Sequence, residues 1–367
     1  MNIQYPDYGN CLANLACSIG RHFGVETDAP TLEMCDTFLE KNYKNVVVLL
    51  LDGMGKAIMD KNLDENGFFF RHLQGTFSSV FPPTTVAATT SVQSGQYPSA
   101  HCWLGWDCYY PQIDKNVTVF RNTESNSDRP AADFNVAETF CPYTSMVEKV
   151  RRAGLQGYNA TPFVPPFPQD FEGICRRIEM LCALEGRKYI YSYWKEPDST
   201  IHATGCGSTE TKSVLKALED RVQALCEKLS DTLLIVTADH GLMDSDGAVI
   251  ADHPKMMECL LRMPSIEPRA MNFFIKEGKQ AQFQQEFLRE FGEKFLLLSK
   301  DEVKGSHLFG PGPAHPNFDG MLGDFLAVAV SDLSLYNTAE KKEHFIGVHA
   351  GLTEEEMTIP LIAISIP

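Results

Sequence analysis

Six side chains able to hold a metal stand where apolar runs of this 367-residue chain begin or end. Asp52 directly follows "VVVLLL" (46–51). Asp198 and His202 lie in "EPDSTIHATG", just after "KYIYSY" (188–193). Asp239 and His240 lie in "ADHG", directly after "TLLIVT" (232–237). His349 lies in "GVHAGLTEEEMTIP", ahead of the last apolar run (359–365). Oxygen and nitrogen donors in this ratio suit Zn²⁺, with Mn²⁺ also compatible. Asp198 and His202 are four apart, so one helical turn puts both on one side. Asp239 and His240 are adjacent, and at a turn both reach the same pair of ions. Six ligands are too many for one tetrahedral ion. They suit two ions about 4 Å apart, an arrangement that serves phosphoryl chemistry.

Such chemistry needs a nucleophile. "SSVFPPTTVAATTSVQSG" (78–95) supplies Thr84 and Thr85 behind a double proline that holds the chain extended. The small residues after them can open a helix, whose first N–H groups face an anion. A metal ion beside a threonine hydroxyl there would favour the alkoxide. Thr89 and Thr90 fall inside that helix and read as structural.

The elements that must position these groups are legible as periodicity. The runs 46–51, 188–193, 232–237, 325–330 and 359–365 are apolar throughout, as in strands covered on both faces. Helical patterns occupy 135–154, 168–186 and 209–229, and an amphipathic helix begins within 10–23. Alternation of this kind predicts an α/β fold, a mostly parallel central sheet flanked by helices, with ligands beyond the carboxyl ends of its strands. Between 254 and 320 the pattern changes to "MNFFIKEGK", a polar helix "QAQFQQEFLREFGEKF", "LLLSKDEV" and the Gly/Pro-rich "FGPGPAHP". This predicts a small α+β inserted cap over 254–320. Residues 1–253 and 321–367 would then form the core, with "GDFLAVAV" returning to it.

Composition narrows the class. A hydrophobic content of 44% with 22% charged residues is that of a soluble globular chain. The net charge of −16 argues against a nucleic-acid backbone as partner. No window approaches the ~20 apolar residues of a membrane span. The N-terminal stretch lacks a basic region and a long apolar core, so no secretion signal is expected. Eleven cysteines without a C-x-x-C read as reduced structural thiols, and a cytoplasmic location is expected.

The ordered series "LLLDGMG", "FPPTTVAATTSVQSGQYPSAH", "EPDSTIHATG", "TADHG" and "GVHAGLTEEEMTIPLI" resembles the alkaline phosphatase superfamily. It looks most like the type I phosphodiesterase/nucleotide pyrophosphatase branch, over about 45–365 with a gap at the insertion. The resemblance implies two zinc ions, one held by Asp52, Asp239, His240 and Thr85, the other by Asp198, His202 and His349. It also implies in-line attack by a Thr85 alkoxide, a phospho-threonine intermediate, and hydrolysis by water activated on the second ion. The implied substrate is a small, nucleotide-like phosphodiester or pyrophosphate. A phosphomonoesterase, phosphonate hydrolase or phosphoryl-transfer enzyme on the same core is the alternative, and a non-catalytic metal-binding relative the third reading.

One departure stands out. Nucleotide-cleaving members carry an asparagine after the nucleophile helix, whereas "SAHCWLGWDCYY" puts Trp106 near that position. Substitute phosphate contacts are the Thr85 N–H, Asn122, and the indole N–H of Trp103 or Trp106, with Arg121 as the nearest arginine. The sulfatase motif C/S-x-P-x-R is absent. His101, His253 and His315 read as local structure, and Phe163 and Phe167 as packing or an apolar slot. Gly53 and Gly55 lack the third glycine of a dinucleotide fingerprint.

Overall fold

Residues 2–367 are described, in a computed structural model. The run that ends at Asp52 forms the strand Asn45–Leu51, buried along its whole length. Each of its six apolar side chains contributes about 1.5–3 kcal/mol by leaving water, so this strand is a fixed mount. It lies inside a six-stranded sheet. The order is Leu73–Ser78, Thr358–Ile366, Thr232–Thr237, Asn45–Leu51, Lys188–Trp194, Gln156–Ala160. Thr358–Ile366 is antiparallel to both neighbours and the remaining pairings are parallel, so five of the six strands point one way. The carboxyl ends of three adjacent strands thereby carry Asp52, Asp198 and Asp239 to one edge.

Phe325–Ala329 does not return to this sheet as the sequence reading expected. It pairs with Ala270–Phe273 and Phe295–Ser299 in a second, wholly antiparallel sheet. That seven-stranded sheet also takes in Ser265–Glu267, Asp107–Tyr110, Lys115–Thr118 and Thr123–Glu124. Its strands therefore come from both inside and outside 254–320. The reason lies in burial. Leu326 and Val328 face one apolar cluster, while Phe325, Ala327 and Ala329 face another. A strand covered on both faces reads the same in either sheet.

The helical pattern over 135–154 is two helices, Val136–Phe140 and Met146–Arg152. Pro142 interrupts it, and Asn135 and Ser145 each cap a first turn through the side chain. Phe171–Ala183 and Thr209–Cys226 match the other two patterns, and Leu12–His22 packs against Thr85–Ser94.

The two sheets are clamped by a buried ion pair. Arg269 Nε and Nη2 donate to the Glu356 carboxylate at 2.7 and 2.9 Å, and Arg269 also donates to the Ser331 and Leu333 carbonyls. Neither side chain is exposed. Arg269→Ala leaves Glu356 charged and unpaired in the interior. We expect a loss of about 3–5 kcal/mol in urea-unfolding free energy.

Candidate metal centre and active site

Asp52 turns out of its strand with its N–H on the Trp194 carbonyl (3.0 Å), and its own carbonyl accepts the Asp198 N–H (3.0 Å). The next residue, Gly53, has φ +72°, and its N–H donates to Asp239 Oδ1 at 3.0 Å. A Cβ on Gly53 would lie 3.1 Å from the Asp198 Cα, so glycine is what lets these turns touch. That packing accounts for a glycine the dinucleotide fingerprint did not.

Two triads result. Asp52, Asp239 and His240 bring donor atoms within 4.8 Å of one another, and so do Asp198, His202 and His349. Asp198 and His202 share the helix Asp198–Thr204, one turn apart. The triads adjoin, with the rings of His240 and His349 stacked at 3.8 Å between centroids. Each imidazole has Nδ1 against a backbone carbonyl: His202 on Gly347 (2.6 Å), His240 on Gly241 (3.1 Å), His349 on Pro83 (3.1 Å). With Nδ1–H donating, each Nε2 presents a lone pair inward. Those nitrogens lie 3.2–3.8 Å from carboxylate oxygens of Asp198, Asp52 and Asp239.

Lone pairs facing carboxylates repel unless a proton or a metal cation lies among them. Asp198 Oδ1 and Asp239 Oδ2 are buried without any hydrogen-bond partner. Burial pushes the Asp52 carboxyl well above the usual range, and Asp239 and Asp198 push it the same way. Burial likewise raises Asp239. Burial opposes ionisation of Asp198 too, but pairing with a protonated His202, itself raised by Asp198, holds it below the usual range. His349 is pushed well down by burial and by His240. Orphaned oxygens, inward lone pairs and an O/N donor set fit divalent cations.

Thr85 opens the helix Thr85–Ser94. Its hydroxyl lies 3.4–3.5 Å from the Asp52 carboxylate and 3.3 Å from His240 Nε2. It lines a pocket of about 350 Å³ with Asp198, His202 and His349. Trp106, Tyr336 and Phe345 give that pocket aromatic walls, and Arg121 and Lys341 give it positive charge. Lys341 pairs with Asp107 at 3.1 Å.

The other sequence candidates divide. Trp106 reaches the pocket, although its backbone N–H is taken by Glu267. Asn122 does not reach it. Its amide donates to the Phe134 carbonyl and accepts the Val136 N–H, tying down a loop. Trp103 spends its indole N–H on the Cys141 carbonyl. His101 is held between Ser91 and the Trp103 N–H, and His253 packs on Phe291. His315 gathers with Cys102 and Cys141 outside the pocket, its Nδ1 accepting the Asn317 N–H. Phe163 is exposed and packs on Tyr193, and Phe167 is exposed as well.

Sequence reasoning missed Tyr193 and Glu267. The Tyr193 hydroxyl donates to Asp52 Oδ2. Its place one residue from the end of an apolar strand was the available signal. Glu267 accepts bonds from Thr84 and Trp106 and lies in a segment whose contacts exist only through the second sheet. Burial pushes its carboxyl up to about 7 against those bonds.

This is an alkaline phosphatase-like α/β fold with two candidate ligand triads gathered at the carboxyl-end edge of its parallel strands. The chain belongs to the type I phosphodiesterase/nucleotide pyrophosphatase family, which it matches over residues 46–352. It is similar to murine ectonucleotide pyrophosphatase/phosphodiesterase 5, solved as an inactive threonine-to-alanine variant in complex with AMP. There the TM-score is 0.64 at 17% identity, over 88% of each chain. The human enzyme of the same name gives 0.62 at 15%, over 87% of each. Phosphonoacetate hydrolase from Sinorhizobium meliloti 1021, in complex with phosphonoformate, gives 0.63 at 14%, over 88% of this chain and 90% of that one. At these identities the likeness is one of fold. No curated protein matches the chain. Family and fold together support a hydrolase acting on phosphate esters. Among the described residues, no helix is long and apolar enough to cross a membrane.

Tyr193→Phe removes the hydrogen bond that orients Asp52 while keeping the ring. We expect divalent-cation affinity, read by chelator competition, to fall about 10–100-fold.

Proposed function

We propose that this chain is a di-zinc phosphohydrolase that cleaves phosphodiester or pyrophosphate bonds of a small, nucleotide-like molecule, with Thr85 as nucleophile. The observation that carries the reading is the Thr85 hydroxyl at a helix N-terminus, 3.3 Å from His240 of one triad and lining a pocket with all three members of the other. Asp52, Asp239, His240 and Thr85 would hold one ion, and Asp198, His202 and His349 the other. Bound zinc, or manganese, would supply positive charge that favours the alkoxide and offsets charge on the phosphoryl oxygens.

The chain's own groups do the rest. Thr85 Oγ forms a bond to phosphorus while the bond to the leaving oxygen breaks. The hydroxyl proton passes to solvent, and the leaving oxygen takes one up from solvent. First-turn N–H groups of the Thr85–Ser94 helix receive non-bridging oxygens. Water then attacks the phospho-threonine, the P–Oγ bond breaks, and Oγ regains its proton. Trp106, Tyr336 and Phe345 offer flat faces to a leaving group such as a base. The murine relative whose inactive form carries a threonine-to-alanine change, with AMP bound, supports both the nucleophile and the ligand class. The partner is a small phosphate ester or anhydride. Eleven free cysteines support a reducing compartment, the cytoplasm.

A second reading is phosphonate hydrolysis. Arg121 and Lys341 beside the triads would suit an anionic group next to phosphorus, and phosphonoacetate hydrolase shares the fold.

Zinc-loaded protein is expected to prefer bis-p-nitrophenyl phosphate and the nitrophenyl ester of thymidine 5′-monophosphate over p-nitrophenyl phosphate. Faster turnover of phosphonoacetate would favour the second reading. Thr85→Ala is expected to lose at least about 10³-fold in kcat with zinc content unchanged. Full activity in that variant would remove Thr85 from the mechanism.

A further inference from the structure

Thr84 is the N-cap of the nucleophile helix, in extended backbone conformation (φ −140°, ψ 149°). A threonine there ordinarily turns its hydroxyl onto the N–H groups of the first turn. This one does not: the helix has no side-chain cap. The Thr84 hydroxyl instead donates to Glu267 Oε1 at 2.6 Å, and the same oxygen accepts the Trp106 N–H at 2.7 Å. Thr84 is 1% exposed and Glu267 9% exposed, so solvent does not compete for these bonds.

The approach of Glu267 is built in. It ends the strand Ser265–Glu267 of the second sheet, which pairs with Asp107 through Ile266 alone. Ile266 sits at φ +77°, a costly conformation for a β-branched residue and one that clusters at functional sites. Gly105 gives it room, since a Cβ there would lie 2.8 Å from the Ile266 Cγ2.

We infer that Glu267 is a positioning residue that holds the Thr84 hydroxyl away from the helix, leaving the first-turn N–H groups beside Thr85 open to a phosphoryl oxygen. The inference rests on Thr85 lying where the phosphorus is bound. It adds a cause: an acceptor from the second sheet keeps an anion-binding helix end from capping itself. It also answers the missing asparagine, because open backbone donors can take up part of the work of a side-chain clamp.

The test is titration of the zinc-loaded protein with orthovanadate by calorimetry, a readout that needs no turnover. Glu267→Ala frees the Thr84 hydroxyl to cap the helix, and vanadate affinity is expected to fall about tenfold or more. Glu267→Gln keeps an oxygen that can accept both bonds and is expected to stay within about threefold of the parent. The double variant Thr84→Ala/Glu267→Ala has no hydroxyl left to turn back, so it is expected to regain most of the lost affinity. A merely structural Glu267 would predict no such recovery. Should Glu267→Ala fail to fold, Glu267→Asp, one methylene short of Thr84, carries the same expectation. Parent-like affinity in Glu267→Ala, no recovery in the double variant, or a parent that binds no vanadate would each overturn the inference. Vanadate binding without hydrolysis of any ester would instead defeat the proposed function and leave this inference standing.

Discussion

Three buried carboxylates, two of them with an oxygen that has no partner, face three inward imidazole nitrogens, and that concentration of acceptors is the constraint around which the molecule is organised. Left alone it is costly: burial and mutual repulsion raise Asp52 and Asp239 above the normal carboxylate range. Backbone carbonyls fix each imidazole by its Nδ1, so the rings cannot turn their lone pairs away. Such a site stays assembled only on a rigid mount. The strands Asn45–Leu51, Lys188–Trp194 and Thr232–Thr237, buried along their whole lengths, provide it.

The second sheet does a different job. It supplies no member of either triad, yet Asp107, Ser265, Ile266, Glu267 and Met271 from its strands line the pocket, alongside Trp106 and Pro264. The Arg269–Glu356 pair anchors that sheet to the segment leading into Thr358–Ile366. Glu267, two residues away, reaches Thr84, the N-cap of the helix Thr85–Ser94. The same short stretch therefore joins the two sheets and contacts the end of the helix that Thr85 opens.

Much of the candidate site was visible in the residues alone. A polar residue at the end of an apolar run is an exception to burial, and Asp52, Asp239 and His240 stand out on that ground. The i, i+4 spacing of Asp198 and His202 was enough to put them on one helical turn. His349 was harder, since it precedes its strand, and the ordered series of motifs carried it. The candidate substrate contacts were the least legible. Asn122 looked available as a polar side chain near Trp106, but a left-handed backbone (φ 54°) and two hydrogen bonds turn it to loop closure. Chemical type does not reveal direction.

Local order, meaning strand and helix periodicity, the carboxylates and imidazoles at strand ends, and the threonine behind its prolines, is written in neighbouring residues and was determined by the sequence itself. Sheet membership of Phe325–Ala329, the hydrogen bond from Tyr193 to Asp52, and the reach of Glu267 to Thr84 were decided by tertiary structure. The physical reason is range. Periodicity reports only that a side chain is buried. Which of two buried sheets a strand joins, and which hydroxyl a carboxylate meets across 183 residues, depends on packing among segments distant in the chain.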